Sequence, residues 1–104
     1  MGAFEQLVLL AVLRLGERAY GVAVVEEIAA RTGRDPSRAA VYIALRRLAE
    51  KGLVRSELSA PTPQRGGRAK RYYRVEPRGI DELAQARRDL LEMWKGVRPL
   101  LEQR

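Results

Sequence analysis

Apolar residues recur every three or four positions through the first half of the chain, a spacing typical of helices with one buried face. Glycines mark where each predicted helix ends. The predicted ranges are 4–15, 21–32 and 37–51. Pro36 suits the first turn of the third helix, whose N-cap is either Asp35 or Ser37. In the first two helices the predicted core residues are Phe4, Leu7, Val8, Ala11, Val12, Leu15, Val22, Val25, Ile28 and Ala29.

The first helix carries a second apolar stripe, formed by Leu9, Leu10 and Leu13. A helix in a small domain needs only one buried face. The extra stripe therefore predicts a further partner, either another helix or another subunit.

The third helix divides into two faces at 100° per residue. One face is apolar and is predicted to lie in the core: Val41, Ala44, Leu45 and Leu48. The opposite face mixes small apolar residues with arginine and is predicted to be exposed: Ala39, Ala40, Tyr42, Ile43, Arg46, Arg47 and Glu50.

Alternation of apolar and polar residues then predicts a β-hairpin with strands at 53–60 and 69–75. Its inward residues are predicted to be Val54, Leu58, Tyr73 and Val75. Proline and glycine between residues 61 and 67 indicate a long turn at its tip.

A last helix is predicted to begin at Pro77, and its apolar stripe runs from Ile80 to Val97. Pro99 is expected to kink or end that helix near Val97. A three-helix core cannot cover so long a stripe, so we expect a homodimer. The residues predicted at the dimer interface are Leu9, Leu10, Leu13, Leu83, Leu90, Leu91, Trp94 and Val97. The chain is thus predicted to contain a winged helix-turn-helix over 1–76 and a C-terminal dimerisation helix over 77–104. This fold is mainly α with one small β-hairpin.

Positive charge is concentrated in the middle of the chain. Residues 31–75 carry 12 Lys/Arg and 3 Asp/Glu, a net of +9, whereas residues 1–30 sum to −2 and residues 76–104 to 0. A basic helix followed by a basic hairpin is the distribution expected of a surface that follows nucleic-acid phosphates.

The composition argues against catalysis, metal binding and membrane contact. The chain has no His and no Cys, which removes the commonest general base, the thiol nucleophile and the usual zinc ligands. No metal or other cofactor is expected, and we do not expect an enzyme. No apolar run approaches the ~20 residues that span a bilayer, so a cytoplasmic protein without membrane contact is predicted.

The residues predicted to contact DNA lie on the third helix and the hairpin. Small side chains allow close approach to a base edge, while arginines reach phosphates or guanine, and tyrosine hydroxyls can donate to phosphate. The predicted set is Ser37, Arg38, Ala39, Ala40, Tyr42, Ile43, Arg46, Arg47, Arg65, Arg68, Lys70, Arg71 and Tyr72. Two structural interpretations compete with this one: a solvated helix with incidental arginines, and a charged strand edge that deters aggregation.

The sequence resembles the PadR-like family of bacterial transcriptional regulators, in its short form with one C-terminal helix. The resemblance lies in the order and spacing of short segments along essentially the whole chain. These are residues 9–16, 20–21, 37–48, 52–54, 71–75 and 79–83. The sequence departs from the family pattern at Ala39, Ala40 and Ile43, where Gly, Thr and Pro are usual, and at Glu76, where a Thr or Ser cap is usual.

The resemblance implies a homodimer whose first and last helices pair across a two-fold axis. Such proteins usually repress a nearby gene and release DNA when they bind a small molecule. Together with the residue pattern, this favours a ligand-responsive repressor that binds a palindromic double-stranded operator. Trp94 is either a dimer-core aromatic or the stacking partner of a small aromatic effector. Two alternatives are an architectural protein that binds DNA or RNA irrespective of sequence, and a drug-binding protein with secondary DNA contact.

Overall fold

Three helices form the first half of the molecule in a computed structural model that describes residues 1–59 and 70–103. Helix α1 spans Ala3–Leu15, α2 spans Gly21–Thr32 and α3 spans Arg38–Glu50, with a short 3-10 turn at Gly16–Arg18 between the first two. The predicted helices are confirmed to within one or two residues at each end. Pro36 is the exception, because it precedes the N-cap instead of lying in the first turn of α3.

The core lies where the three helices meet the base of the hairpin. Val41, Ala44, Leu45 and Leu48 of α3 are all buried, so the predicted rotation of this helix is confirmed. Val24 is the fully buried valine of α2, whereas the predicted Val22 and Val25 lie at the edge of the core.

Leu9 corrects the prediction for α1. It is 0% exposed within a single chain and belongs to the core. Helix α1 contacts α2, α3, the second hairpin strand and the last long helix, so neighbours cover more of its circumference than one stripe. Leu10 and Leu13 are exposed and remain the second stripe.

The hairpin consists of β1, Val54–Leu58, and β2, Arg71–Val75, in antiparallel register from Val54↔Val75 to Leu58↔Arg71. The segment before α2 pairs with β2 through one isolated β-bridge, Tyr20↔Tyr72, and the Tyr73 N–H donates to the Ala19 carbonyl at 2.8 Å. The prediction that Leu58 faces the core is wrong: it is 61% exposed, because this end of the hairpin extends beyond the helices.

Helix α4 spans Pro77–Trp94 and is followed by α5, Arg98–Glu102. The long helix ends at Trp94, before the predicted Val97, and the turn that follows contains Gly96, whose φ of +75° a side chain would disfavour. Pro99 lies in the first turn of α5 instead of ending α4.

Only the first turns of α4 join the core. Leu83, predicted at a dimer interface, is 9% exposed and packs in the core of its own chain. Beyond it, Leu90, Leu91 and Trp94 are exposed and Val97 is half-buried. The radius of gyration is 16.3 Å, against about 13 Å for a compact chain of this length, so the molecule is elongated.

Candidate nucleic-acid interface

The start of α3 is fixed by a side-chain cap. Ser37 has an extended backbone, and its Oγ accepts a hydrogen bond from the Ala40 N–H at 3.0 Å. Of the two residues left open by the sequence, Ser37 is therefore the N-cap and Asp35 is not. The cap satisfies one of the free N–H groups at the start of the helix and sets where the exposed face begins.

The outward face of α3 is apolar along its centre and basic at its edges. Tyr42 and Ile43 are each 44% exposed. Arg38, Ala39, Arg46 and Arg47 are exposed as well, and Ala40 is half-buried. Within the described parts of the chain, Arg38, Arg46 and Arg47 take part in none of the ion pairs, which leaves their charge available to an anion.

Ile43 lies between two clefts that run along either side of α3. The cleft toward the hairpin has a volume of about 410 Å³, and Arg46 lines it. The cleft toward the start of α1 has a volume of about 460 Å³, and Arg47 lines it. The two adjacent arginines therefore point to different sides, with an apolar ridge between them.

Tyr42 is held by a close approach to α2. A Cβ built on Gly21 would collide with the Tyr42 ring, so the ring lies directly over the glycine backbone. The sequence predicted Gly21 only as the opening of a helix. Its further role is to leave room for the Tyr42 ring, which lies at the edge of the exposed face of α3.

Arg71 is oriented across the hairpin toward α3. Its Nη1 donates to the Ser56 Oγ at 2.8 Å, and both residues line the 410 Å³ cleft together with Tyr42, Arg46 and Tyr73. The structure thus brings together three residues predicted to bind DNA: Tyr42, Arg46 and Arg71.

Lys70 and Tyr72 lie on the other side of the sheet. Tyr72 makes an edge-to-face contact with Tyr20, with ring centroids 5.8 Å apart. The Lys70 Nζ lies 4.4 Å from the centre of the Tyr20 ring. The structure therefore does not bring Tyr72 to the face that α3 shares with Arg71. Two other predicted residues, Arg65 and Arg68, fall outside the described residues.

The sequence analysis missed two residues of this surface, Ser56 and Tyr73. Tyr73 was predicted as core, but it is half-buried and lines the cleft. Burial raises the pKa of the Tyr73 hydroxyl, against a smaller opposing effect of the Arg71 charge. Like an ordinary tyrosine hydroxyl, it is a neutral donor at physiological pH. Counting by twos from Val54 would have placed Ser56 on the inward face of the hairpin, where Tyr73 was already predicted.

Helix α3 is exposed, has an apolar ridge with arginines at its edges, and is followed by a basic hairpin. This is the arrangement of a recognition helix and a wing in a winged helix-turn-helix protein. Comparison with known protein families identifies the family. The profile of the transcriptional regulator PadR-like family matches residues 9–85. The chain belongs to this family.

Solved structures share this fold, and one of them also supports the family assignment. A PadR family transcriptional regulator from Eggerthella lenta is 31% identical, with 95% of this chain and 84% of that one covered and a TM-score of 0.73. A PadR-like regulator from Bacillus cereus is 21% identical, with 96% and 92% covered and a TM-score of 0.77. A winged-helix DNA-binding protein from STIV is 18% identical, with 92% and 96% covered and a TM-score of 0.71. None of the curated proteins compared matches the chain.

The PadR-like assignment confirms the resemblance and the winged helix-turn-helix fold. It makes this protein a transcriptional regulator, which implies DNA-binding regulation and not enzymatic activity. Within the described ranges, no helix is both long enough and apolar enough to cross a membrane.

Proposed function

We propose that this PadR-like regulator is a homodimeric repressor that binds a palindromic double-stranded DNA operator and releases it on binding a small aromatic effector. The observation that carries the proposal is the exposed face of α3, where Ala39, Ile43 and Arg46 follow one another at helical spacing. An unobstructed helix of this kind fits the major groove, whose base edges carry the sequence information.

The proposed division of labour follows from side-chain chemistry. Ala39, Ala40 and Ile43 approach base edges and thymine methyl groups, while Arg46 and Arg47 bind guanine or phosphate. Ser37 and Arg38 lie at the start of the helix, where phosphate contacts are common. The remaining residues predicted on the hairpin contact the flanking backbone: Arg65, Arg68, Lys70, Arg71 and Tyr72.

The homodimer is supported by the apolar surface that one chain leaves uncovered. Leu90, Leu91 and Trp94 of α4 are exposed, and Leu10 and Leu13 of α1 are exposed in addition. A monomer rarely leaves such a surface in water. We propose that residues 77–104 and the outer stripe of α1 form a two-fold interface, and that residues 1–76 read DNA.

Operator selection from a pool of random duplexes tests the DNA function. The expected result is an inverted repeat whose half-sites are centred about 10 base pairs apart, because two α3 helices of one dimer enter successive turns of the major groove. Affinity for the selected site should exceed that for unrelated duplex by ~10³ or more at physiological salt. Equal affinity for all duplexes would instead favour an architectural protein.

Repression is tested with a reporter whose promoter overlaps the selected operator. Expression of the regulator should lower reporter output, and Ile43→Glu, which places a charge on the reading face, should restore it. Increased output with the parent protein would show an activator.

The effector is proposed to stack on Trp94, the chain's single tryptophan, which is 52% exposed on a helix that needs a partner. Binding would release DNA only if the compound prefers one angle between the two α3 helices over another. A panel of planar aromatic compounds should include one that quenches Trp94 fluorescence saturably and releases the operator. Trp94→Leu should keep the dimer and bind operator without responding to that compound. No quenching by any compound, with a weakened dimer in the variant, would make Trp94 purely structural.

A further inference from the structure

The cleft between α3 and the hairpin combines groups that no single element of the chain supplies. Two arginines line it, Arg46 from α3 and Arg71 from β2, and none of the described residues that line it carries a carboxylate. Two tyrosines, Tyr42 and Tyr73, line the same cleft. Charged and neutral donors thus converge on one small volume that is open to solvent.

One of these charges is oriented by a partner. The Arg71 guanidinium donates from Nη1 to the Ser56 Oγ at 2.8 Å. Ser56 is paired with Tyr73, so this hydrogen bond runs diagonally between the two strands on one face of the hairpin. An arginine that is free on a surface samples many rotamers and loses that freedom when it binds an anion. The hydrogen bond to Ser56 reduces this loss by orienting the guanidinium beside the cleft in advance.

The neutral donors suit the same ligand. The Tyr73 hydroxyl is protonated at neutral pH, and burial raises its pKa further, so the hydroxyl donates and does not repel an anion. The ring of Tyr42 lies over Gly21 and is fixed by that contact. Arginine guanidinium groups and hydroxyls together match the oxygens of a phosphate, for which arginine offers paired donors.

We infer that this cleft is a binding site, here called the seat, for a single backbone phosphodiester of DNA. Arg46, Arg71 and Tyr73 bind the phosphate, and Ser56 is the positioning residue for Arg71. The inference rests on the DNA-binding function proposed above. It assigns roles to Ser56 and Tyr73, and it identifies one point at which the reading helix and the wing hold the same strand.

Salt dependence of binding to a random-sequence duplex tests the seat, because phosphate contacts do not depend on base sequence. Arg71→Gln should make the plot of log K against log salt shallower. The magnitude of its negative slope should fall by about 0.9 for each protomer on DNA, the value for one phosphate. Arg74→Gln is the matched control: it removes the same charge from the same strand but from the opposite face of the sheet. An equal loss of slope in both variants would overturn the seat, since charge would then act diffusely.

A double-variant cycle tests Ser56 as a positioning residue. Ser56→Ala should weaken binding by about three- to tenfold, the usual effect of one hydrogen bond, and Ser56→Thr should restore it. In the Arg71→Gln background, Ser56→Ala should have no further effect, because Ser56 acts through Arg71. An undiminished effect there would overturn the assignment. Thermal unfolding of each variant controls for folding.

Inorganic phosphate separates the two sources of the ligand chemistry. Thermal unfolding of the DNA-free parent should respond equally to sodium phosphate and to sodium chloride at equal ionic strength. If phosphate stabilised the DNA-free parent but not Arg71→Gln, and the two proteins had the same salt slope on duplex, the cleft would be a site for a free phosphate, which overturns the backbone assignment. A parent that binds no duplex at all fails the proposed function, whereas a parent that binds with a slope unaffected by Arg71→Gln fails the seat alone.

Discussion

At the scale of single residues, position around α3 decides what a side chain does. Leu45 is fully buried, whereas its neighbour Arg46 faces solvent, and the 100° step between them was readable from the sequence. The hairpin was harder to read. Alternation placed Val54 correctly but gave no sign that the strands leave the helices before Leu58, because that depends on helix length and packing.

Ala39→Glu should abolish operator binding and leave the fold intact, because Ala39 is exposed on the reading face and a carboxylate there meets phosphate. The matched control is Ala30→Glu, which adds the same charge at an exposed position of α2. Fluorescence anisotropy with labelled operator and thermal unfolding by circular dichroism measure the two properties. Unfolding of the Ala39 variant would mean that the helix is rotated from the orientation described.

Glu27 gives a pH-dependent contribution to stability. Its pKa is lowered from 4.5, chiefly by the hydrogen bond from Arg14 at 3.1 Å and further by Arg31. A carboxylate with a lowered folded-state pKa stabilises the protein above its unfolded pKa, and the contribution is lost as pH falls through the folded value.

Glu27→Gln should therefore be less stable than the parent at pH 7, with the difference disappearing well below pH 4.5. Urea unfolding of both proteins at pH 7 and at pH 3 measures this. A difference of the same size at both pH values would contradict a charge-based contribution.

At the scale of elements, the beginnings and ends of helices could be predicted where local chemistry sets them. Gly33 ended α2 as expected, and Ser37 proved to be the cap of α3. The end of α4 could not be predicted in the same way. Proline suggested a stop near Val97, but Gly96 already turns the chain, and proline then begins the next helix, where its fixed φ is favourable.

The cap of α3 can be separated from its DNA contacts by substitution. Ser37→Ala should lower the free energy of unfolding by about 1 kcal/mol, because it leaves the Ala40 N–H without its acceptor. Ser37→Asp should keep the cap and the stability, but its charge should weaken DNA binding. Urea unfolding and anisotropy on both variants measure this. Retained DNA affinity in Ser37→Asp would place the start of α3 away from the phosphates.

At the scale of the whole molecule, the sequence predicted the uncovered surface but not its extent. Leu10, Leu13, Leu90, Leu91 and Trp94 are exposed as expected. Leu9 and Leu83 are not, since α1 and the start of α4 pack more closely into the core than helical periodicity alone reveals. Periodicity gives the direction of a side chain and cannot say how many neighbours lie there.

Leu90→Glu should convert the proposed dimer to a folded monomer, because a carboxylate would be buried without a partner at the interface. Leu58→Glu is the matched control, an exposed leucine on the hairpin. Sedimentation velocity at micromolar concentration measures the mass. A monomeric parent, or a dimer unaffected by Leu90→Glu, would contradict the interface.

The position of α1 restricts how a signal would reach DNA in the proposed repressor. Its inner residues pack in the same core as those of α3, and Glu5 near its start pairs with Lys51 just beyond α3 at 2.8 Å. We therefore expect α3 and α1 to move together as one rigid unit. In the proposed dimer, with reading helices ~34 Å apart, each would lie about 17 Å from the two-fold axis. A turn of about 5° at that radius moves α3 by roughly 1.5 Å, enough to break hydrogen bonds to bases while every contact inside the subunit is kept.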